Sequence, residues 1–375
     1  MPDKMAAAAT HWACSTPRAE VNPRARKNRL IAQKSEVQFD GKSCLQERYS
    51  EVDASSESTL NLHMGQRKLL LSEIQLLTEY YKVAGAPHPT LVYVGSAPGT
   101  HLLFLHELFP KVRFVLYDGS RFDPGLLSPA KSSVFEVHNT FFLDSTCDEL
   151  ARRLGSKTPI VFVSDIRSDA REAGSFEDQV MWDMLSQRRW AERLKPSLSL
   201  LKFRLPFTLR ATDSVKYLPG RLLFGIWPPR MSAETRLLVR AEELSKPDVA
   251  YPYGPYESAL FFHNRYTRSM CFADALPDNL RSIIDSGDTQ PQYCGCYDCA
   301  SELLVYQGYA GVAMVAGRPD LVDVRAALDA YAKHARAHHA PLPKVVRRPA
   351  VGDNGNEMRK RAEASIAACR KQQEQ

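Results

Sequence analysis

Four ionisable side chains of this 375-residue chain could together activate a hydroxyl group: Lys68, Asp165, Lys202 and Glu234. A buried lysine beside a second cation loses part of its preference for the charged form, so it can act as a general base near neutral pH. Two carboxylates next to such a lysine could position the amine and the hydroxyl. Each residue alone is more often a member of a surface ion pair, so the interpretation depends on the elements that carry the four.

Those elements follow an alternating α/β pattern. Strands are predicted at 90–97, 113–118, 133–138, 159–165 and 198–205, and helices at 60–84, 99–108, 146–154 and 176–194. Two shorter strand candidates, 222–227 and 236–242, could close the sheet in the antiparallel direction. The pattern predicts an α/β fold with a doubly wound, mainly parallel sheet and helices on both faces. In such sheets, ligands collect at the carboxyl ends of the strands.

The first strand and the turn after it have the features of a nucleotide-binding site. TLVYV at 90–94 runs into GSAPGTH at 95–101 and then into a helix-like segment, which is the usual cradle for a nucleotide-like cofactor. The second strand ends in Asp118, where a carboxylate can accept hydrogen bonds from a ribose diol. The loop reads GSAPG rather than G-x-G-x-x-G, which disfavours a dinucleotide-dependent oxidoreductase.

Composition and charge are those of a soluble globular protein, with 44% hydrophobic and 25% charged residues and a net charge of +6. We find neither a signal-peptide core nor an apolar run of the ~18 residues that span a bilayer, so we expect a cytosolic protein. We predict a flexible basic leader at 1–44, a single domain at 45–335 elaborated from about 266 onward, and a basic, disordered tail at 336–375. Residues 274–300 are predicted to form a loop, and 301–335 one further hairpin or helix.

The cysteines leave two interpretations open. Cys294, Cys296 and Cys299 form a C-x-C-x-x-C cluster that could supply three zinc ligands, with His263 or Cys271 as the fourth. The usual second pair at zinc-ribbon spacing is missing, so ordinary loop thiols are favoured and no metal is predicted. The other cysteines are scattered, which fits reduced thiols.

Six local motifs follow one another along the chain: GQRKLLLSEI, YVGSAPGTH, YDGSRFDP, VSDIRS, LLKFRLPF and SAETRLL. In sequence and in order they resemble the motifs of the poxviral cap-specific mRNA (nucleoside-2′-O-)-methyltransferase family. Members of that family are also stimulatory subunits of the viral poly(A) polymerase. The resemblance covers about 49–264 and includes the family's whole K-D-K-E tetrad. It implies a Rossmann-like S-adenosylmethionine-dependent methyltransferase fold and methylation of the ribose 2′-OH of the first transcribed nucleotide of capped mRNA. It also implies a heterodimer with the poly(A) polymerase catalytic subunit, located in the host-cell cytoplasm and the virion.

The resemblance assigns individual roles in catalysis and cofactor binding. Lys202 would be the base and Lys68 the neighbouring cation, with Asp165 and Glu234 positioning the lysine and the hydroxyl. S-adenosylmethionine would contact the residues that match the family's cofactor positions: Gln66, Tyr93, Gly95, Gly99, Asp118, Ser120 and Leu143. Ser120 stands where the family has an arginine, and the last contact falls at Phe142 or Leu143.

Recognition of the capped RNA would use a different set of residues. Tyr49 and Phe207 match two rings that sandwich the methylated guanine, a cationic base that gains from cation–π attraction. Glu257 matches a carboxylate that binds the guanine edge, whereas Leu209 and Met231 stand where the family has an acidic residue and a tyrosine. The remaining RNA contacts would be Arg204, at a phosphate, and Leu205, Pro206, Ser232, Ala233 and Glu234.

A second hypothesis belongs to a different functional class. The chain could be a non-catalytic RNA-binding subunit that acts mainly as a processivity factor for a poly(A) polymerase. The substituted cap positions and the basic ends leave room for this role. The complete tetrad favours retained catalysis.

Overall fold

The structure is a computed structural model that describes residues 61–156, 158–168, 176–228, 232–265, 268, 272–273, 276–286, 293 and 295–337. The strands are β1 (Thr90–Val94), β2 (Arg113–Tyr117), β3 (Phe135–His138), β4 (Ile160–Ser164), β5 (Leu198–Phe203), β6 (Ser214–Tyr217), β7 (Arg221–Phe224), β8 (Thr235–Arg240) and β9 (Val249–Pro252). The helices are α1 (Asn61–Tyr81), α2 (Leu102–Leu108), α3 (Asp144–Leu154), α4 (Phe176–Leu194), α5 (Tyr253–Arg265), α6 (Asp278–Ser286), α7 (Tyr297–Ala310), α8 (Ala313–Ala316) and α9 (Val324–Ala337).

Seven strands form one sheet in the order β3-β2-β1-β4-β5-β8-β7. Strands β1 to β5 are parallel, β8 is antiparallel to β5, and β7 is antiparallel to β8. The predicted Rossmann-like fold with an antiparallel closure is therefore confirmed. The strand order reverses between β1 and β4, so the carboxyl ends of the central strands face one crevice, where ligands bind in sheets of this kind. A separate two-stranded sheet of β6 and β9 was not predicted.

Helices cover the main sheet on both faces. Along β1, Leu91 and Tyr93 pack into one hydrophobic core, while Val92 and Val94 pack into the other. Successive side chains of a strand point to opposite faces, so a strand buried on both sides reads as a continuous apolar run. The core on the Leu91 side includes side chains of α1, α2 and the C-terminal helices, and the opposite core includes side chains of α3, α4 and α5.

The prediction of a loop at 274–300 is wrong, because this segment contains α6 and the first turn of α7. Helix α6 is short and buries Leu280 and Ile283, a periodicity too brief to stand out among the nearby proline, glycine and aspartate residues. Helix α7 packs against α1. No helix in the described ranges is long and apolar enough to cross a membrane.

The cysteine cluster falls partly within the described residues. Cys296 and Cys299 are buried in the hydrophobic core at the start of α7. No group of three potential metal ligands occurs in the part of the chain that the structure covers. Cys294 and Cys271 lie outside the described residues.

Candidate active site

The structure brings three of the four predicted catalytic residues into direct contact. Lys202 is the fifth residue of β5, Asp165 follows β4, and Glu234 precedes β8. Lys202 Nζ lies 3.1 Å from Asp165 Oδ1 and 3.4 Å from Glu234 Oε2, and its side chain is 10% exposed. The lysine therefore bridges two carboxylates at one edge of the sheet, where β4 and β5 end and the antiparallel β8 begins.

Arg236 belongs to the same cluster but was missed by the sequence analysis. It lies directly opposite Lys202 in the β5–β8 register, and its Nη2 is 2.6 Å from Asp165 Oδ1. Paired residues of an antiparallel ladder share a face, which places both cations on the Asp165 side of the sheet. The signal for this residue is the register, which the sequence does not show.

Lys68 on α1 completes the cluster. It lines a small cavity together with Gln75, Glu234 and Arg236. Burial lowers the pKa of Lys68, and the charges of Arg236 and Lys202 lower it further, against the opposing effect of Glu234 and Asp165. The structure thus assigns a lowered pKa to the lysine that was predicted to be the neighbouring cation.

Both carboxylates of the cluster are held in the ionised form. Burial alone would raise the pKa of Asp165, but Arg236, Lys202 and Lys68 hold it well below its usual range. Burial is likewise outweighed at Glu234, where Lys202, Lys68 and Arg236 lower the pKa. Three cations against two carboxylates leave an excess positive charge in a buried site, which fits the lowered pKa of Lys68.

The predicted cofactor loop lies beside the catalytic cluster. Gly95 has φ of +80°, and a Cβ there would lie 2.8 Å from the carbonyl carbon of Asp165, so only glycine lets the turn after β1 pass this close to the turn after β4. Asp118 directly follows β2, and its Oδ2 accepts a hydrogen bond from Ala97 N at 3.0 Å. Its Oδ1 accepts one from Ser120 N at 2.7 Å.

The other predicted cofactor residues differ in their access to the crevice. The Gln66 amide oxygen is bound by Thr100 and His101 at the start of α2. Tyr93 is fully buried, so its predicted contact with the cofactor stays a prediction. Gly99 has φ of +67° and packs against Leu102 and Leu126.

Phe142 and Leu143, the two candidates for the last predicted cofactor contact, differ in burial. Phe142 packs into the core against Tyr117, whereas Leu143 is exposed. The neighbouring Phe141 was not predicted; it is 76% exposed, and its ring lies so close to Gly119 that a Cβ there would be 2.8 Å from the ring. An exposed ring beside Asp118 is a surface on which a nucleobase can stack.

Phe207 and Arg204 belong to a group of contacting residues that we call the clamp: Phe176, Glu177, Arg204 and Phe207. The Arg204 guanidinium lies 4.2 Å from the Phe207 ring centroid and 5.3 Å from that of Phe176, and it binds both carboxylate oxygens of Glu177. Glu177 Oε2 also accepts a hydrogen bond from Phe207 N at 2.7 Å. Arg204 is therefore buried and paired, and its predicted contact with an RNA phosphate stays a prediction.

Most of the remaining predicted RNA contacts lie within the described residues. Leu205 and Pro206 are buried, and Leu209 packs against the core. The backbone of Ser232 accepts a hydrogen bond from Asn264, and that of Ala233 accepts one from the Tyr256 hydroxyl. Glu257 lies half-buried near the Tyr253 hydroxyl and contributes to the raised pKa of that tyrosine, after burial. Tyr49 and Met231 lie outside the described residues.

The chain is similar to viral proteins named cap-specific mRNA (nucleoside-2′-O-)-methyltransferase. That of Myxoma virus (strain Lausanne) is 27% identical over 218 residues, 55% of this chain and 62% of the relative. That of Fowlpox virus (strain NVSL) is 34% identical over 180 residues, 46% of this chain and 57% of the relative. The chain thus spans less than two thirds of the length of these relatives.

Among solved structures, human Methyltransferase-like protein 13 in complex with SAH matches 54% of this chain and 91% of its own chain, with 17% identity and a TM-score of 0.30. That likeness is too weak to support an argument. The fold assignment rests instead on the strand order and direction of the sheet.

The sequence profile of the Poly A polymerase regulatory subunit family matches residues 44–279, more than half of the chain. The matched range contains every residue that the sequence analysis assigned to catalysis, cofactor binding or RNA binding. The resemblance noted in the sequence is thereby confirmed at the level of the family. The chain belongs to the poly(A) polymerase regulatory subunit family.

Proposed function

We propose that this protein transfers a methyl group from S-adenosylmethionine to the ribose 2′-OH of the first transcribed nucleotide of capped mRNA. The observation that carries the proposal is the placement of Lys202 between Asp165 and Glu234, with Lys68 and Arg236 beside them. This cluster lies at the same edge of the sheet as Asp118 and the glycine loop. A ribose hydroxyl and a nucleoside-based donor can therefore meet there.

The residues present fit an S-adenosyl cofactor. Each Asp118 oxygen accepts one backbone N–H, and a carboxylate oxygen has a second lone pair for a ribose hydroxyl. The exposed Phe141 ring beside Gly119 offers a stacking surface for adenine. When bound, the cofactor would supply an electrophilic methyl group on a sulfonium, and the two ionised carboxylates would favour that positive charge.

Lys202 is the residue that we assign to the hydroxyl. Its amine is held on one side by Asp165 and on the other by Glu234, so its direction is fixed before substrate arrives. In its neutral form, the Lys202 amine can take the hydroxyl proton as the oxygen attacks. In-line transfer then depends on alignment of hydroxyl and methyl donor, which rigid strand ends provide.

The family membership supports a second role alongside catalysis. We propose that the chain pairs with the catalytic subunit of a poly(A) polymerase and serves as its processivity factor, in the cytoplasm of the infected host cell and in the virion. The viral relatives support this setting. A mainly RNA-binding role would keep polymerase stimulation in the absence of methyl transfer.

Methyl transfer from labelled S-adenosylmethionine tests the proposal, with cap-0 RNA and the same RNA lacking a cap. We expect incorporation of label only into the capped RNA. Stimulation of poly(A) addition by a protein that incorporates no label into either RNA would instead support the binding-subunit hypothesis.

Asp118→Ala is expected to weaken binding of S-adenosylhomocysteine, because charge-assisted hydrogen bonds to a ribose diol are each worth roughly 1.5–3 kcal/mol. Titration calorimetry measures the change. Asp123→Ala is the matched control, since Asp123 Oδ1 accepts Gly125 N at 2.7 Å in the same kind of turn. An equal effect of both variants would remove Asp118 from the cofactor site.

Phe207→Ala is expected to reduce affinity for a 7-methylguanosine cap analogue by roughly 1–3 kcal/mol, the usual stacking contribution of one ring. Phe176→Ala is the matched control, because it removes the other ring that contacts Arg204 and so disturbs the clamp in a similar way. Cap-analogue titration of both variants measures the difference. Unchanged affinity in Phe207→Ala would place the guanine elsewhere.

A further inference from the structure

A buried network of hydrogen-bonded side chains lies beside the loop that we assign to the cofactor. Glu73 on α1 and His101 before α2 have side chains that are 0% and 3% exposed, and Glu73 Oε1 lies 3.0 Å from His101 Nε2. The other ring nitrogen, Nδ1, lies 2.7 Å from Gln66 Oε1. The Thr100 hydroxyl donates to the same amide oxygen at 3.1 Å.

The acceptors at the two ends of this network, Gln66 Oε1 and Glu73 Oε1, determine which ring nitrogens of His101 carry a hydrogen. An amide oxygen only accepts, so His101 Nδ1 must donate to Gln66 Oε1. An ionised Glu73 also only accepts, so Nε2 donates as well and the ring is an imidazolium. A shared proton that sits on Glu73 instead still leaves Nδ1 as the donor to Gln66.

If the Glu73–His101 pair lost its shared proton, the oxygen and the NH₂ group of the Gln66 amide would exchange places. A neutral ring that donates through Nε2 to Glu73 has an acceptor at Nδ1, and Gln66 would then turn its NH₂ group toward the ring and its oxygen toward the crevice. The protonation of the pair and the orientation of Gln66 are therefore coupled. This network would affect the ligand through the direction of its hydrogen bonds and not through the shape of the site.

Two contacts describe the surroundings of the pair. Among the described residues His101 is the one basic group that contacts Glu73, and a buried carboxylate without a counter-charge is strongly disfavoured. The third group that faces the pair is Tyr93 on β1, with its ring centroid 6.4 Å from that of His101. Burial first, and then Glu73, raise the pKa of Tyr93 well above its ordinary value, so this hydroxyl stays neutral.

We propose that His101, held by Glu73, is a positioning residue that directs the Gln66 N–H donors toward the carboxylate of the amino-acid part of the methyl donor. This inference rests on the proposed cofactor. The carboxylate is the only anion of S-adenosylmethionine, and N–H groups stabilise it. The opposite amide orientation would present an oxygen to it and would favour the ammonium group of the same ligand.

Gln66→Glu separates the two orientations, because it places oxygens on both sides of the side chain. Calorimetry compares S-adenosylhomocysteine with its decarboxylated analogue in the wild type and in this variant. We expect the variant to lose at least about tenfold in affinity for S-adenosylhomocysteine and to bind the decarboxylated analogue as well as the wild type or better. Retained affinity for S-adenosylhomocysteine would show that Gln66 presents its oxygen to the ligand and would overturn the inference.

Glu73→Gln/His101→Gln tests the positioning role. The double variant replaces the charged pair by neutral amides, and we expect the preference for the carboxylated ligand to fall by about tenfold. A loss of affinity that is equal for both ligands would indicate a merely structural role and would contradict the inference. Thr100→Val removes only the hydroxyl contact and is expected to keep the preference.

The wild-type protein provides a measurement that does not depend on variant folding. Nuclear magnetic resonance of the imidazole nitrogens at neutral pH should show a hydrogen on His101 Nδ1. An unprotonated Nδ1 would overturn the inference. If the wild type binds neither ligand, the proposed cofactor fails together with the inference, whereas equal affinity for the two ligands contradicts the inference alone.

Discussion

Lys202→Ala is expected to reduce kcat for methyl transfer by roughly 10²–10⁴-fold, the usual contribution of a positioned acid–base group. Affinity for S-adenosylhomocysteine should stay unchanged, because Lys202 contacts Asp165 and Glu234 and we assign it to the hydroxyl. Single-turnover kinetics with cap-0 RNA and calorimetry with S-adenosylhomocysteine measure the two effects separately.

Lys202→Arg distinguishes a base from a residue that only orients the hydroxyl. A guanidinium can donate hydrogen bonds to Asp165 and Glu234, but it stays protonated at neutral pH and cannot accept the hydroxyl proton. We therefore expect Lys202→Arg to be nearly as slow as Lys202→Ala. Lys82→Ala, at an exposed lysine, is the control for loss of a lysine charge. Near-normal turnover by the arginine variant would remove the base assignment while leaving an orienting role.

Glu302→Ala is expected to lower the free energy of unfolding by about 3–5 kcal/mol, because it leaves the buried Arg67 without its partner. Arg67 Nη2 lies 2.5 Å from Glu302 Oε2, and Trp227 Nε1 donates to the same oxygen at 2.7 Å. The three side chains join α1, α7 and the segment after β7. Urea denaturation followed by circular dichroism measures the loss.

Two further variants test whether an unpaired buried charge is the cause. Arg67→Met/Glu302→Leu removes both charges at once and should be less damaging than Glu302→Ala alone, since buried ion pairs are often replaceable by apolar groups. Asp278→Ala breaks an exposed pair with Arg281 and should change stability by less than about 1 kcal/mol. A double variant that is as unstable as Glu302→Ala would point to lost packing rather than to the lone arginine.

Much of the sheet could be predicted because its strands are buried on both faces. Every residue of β1, β4 and β5 is buried, and each strand ends near a residue that a ligand could use, such as Asp165 after β4 and Lys202 near the end of β5. Parallel strand ends meet at one edge of a sheet, so these residues could be placed near one another without coordinates. The structure confirms the sheet and brings Asp165, Lys202 and Glu234 into contact.

Other parts of the site depend on tertiary contacts that a sequence does not record. Arg236 reaches Asp165 only because of the register between β5 and β8. Glu177 holds Arg204 and the backbone of Phe207 across a sequence separation of about thirty residues. In the sequence, Phe141 and Phe142 are two adjacent aromatic residues that nothing distinguishes. Their burial in the structure shows that Phe142 belongs to the core while Phe141 faces solvent.

We propose that the Lys202 cluster directs methyl transfer to one particular hydroxyl. The most direct measurement compares cap-0 RNA with the same RNA carrying a 2′-deoxyribose at the first transcribed nucleotide, using labelled S-adenosylmethionine and nuclease digestion of the product. We expect all label in the first nucleotide of cap-0 RNA and none in the deoxy substrate. Label in the deoxy RNA, or label at a base or at an internal ribose, would contradict the proposed reaction.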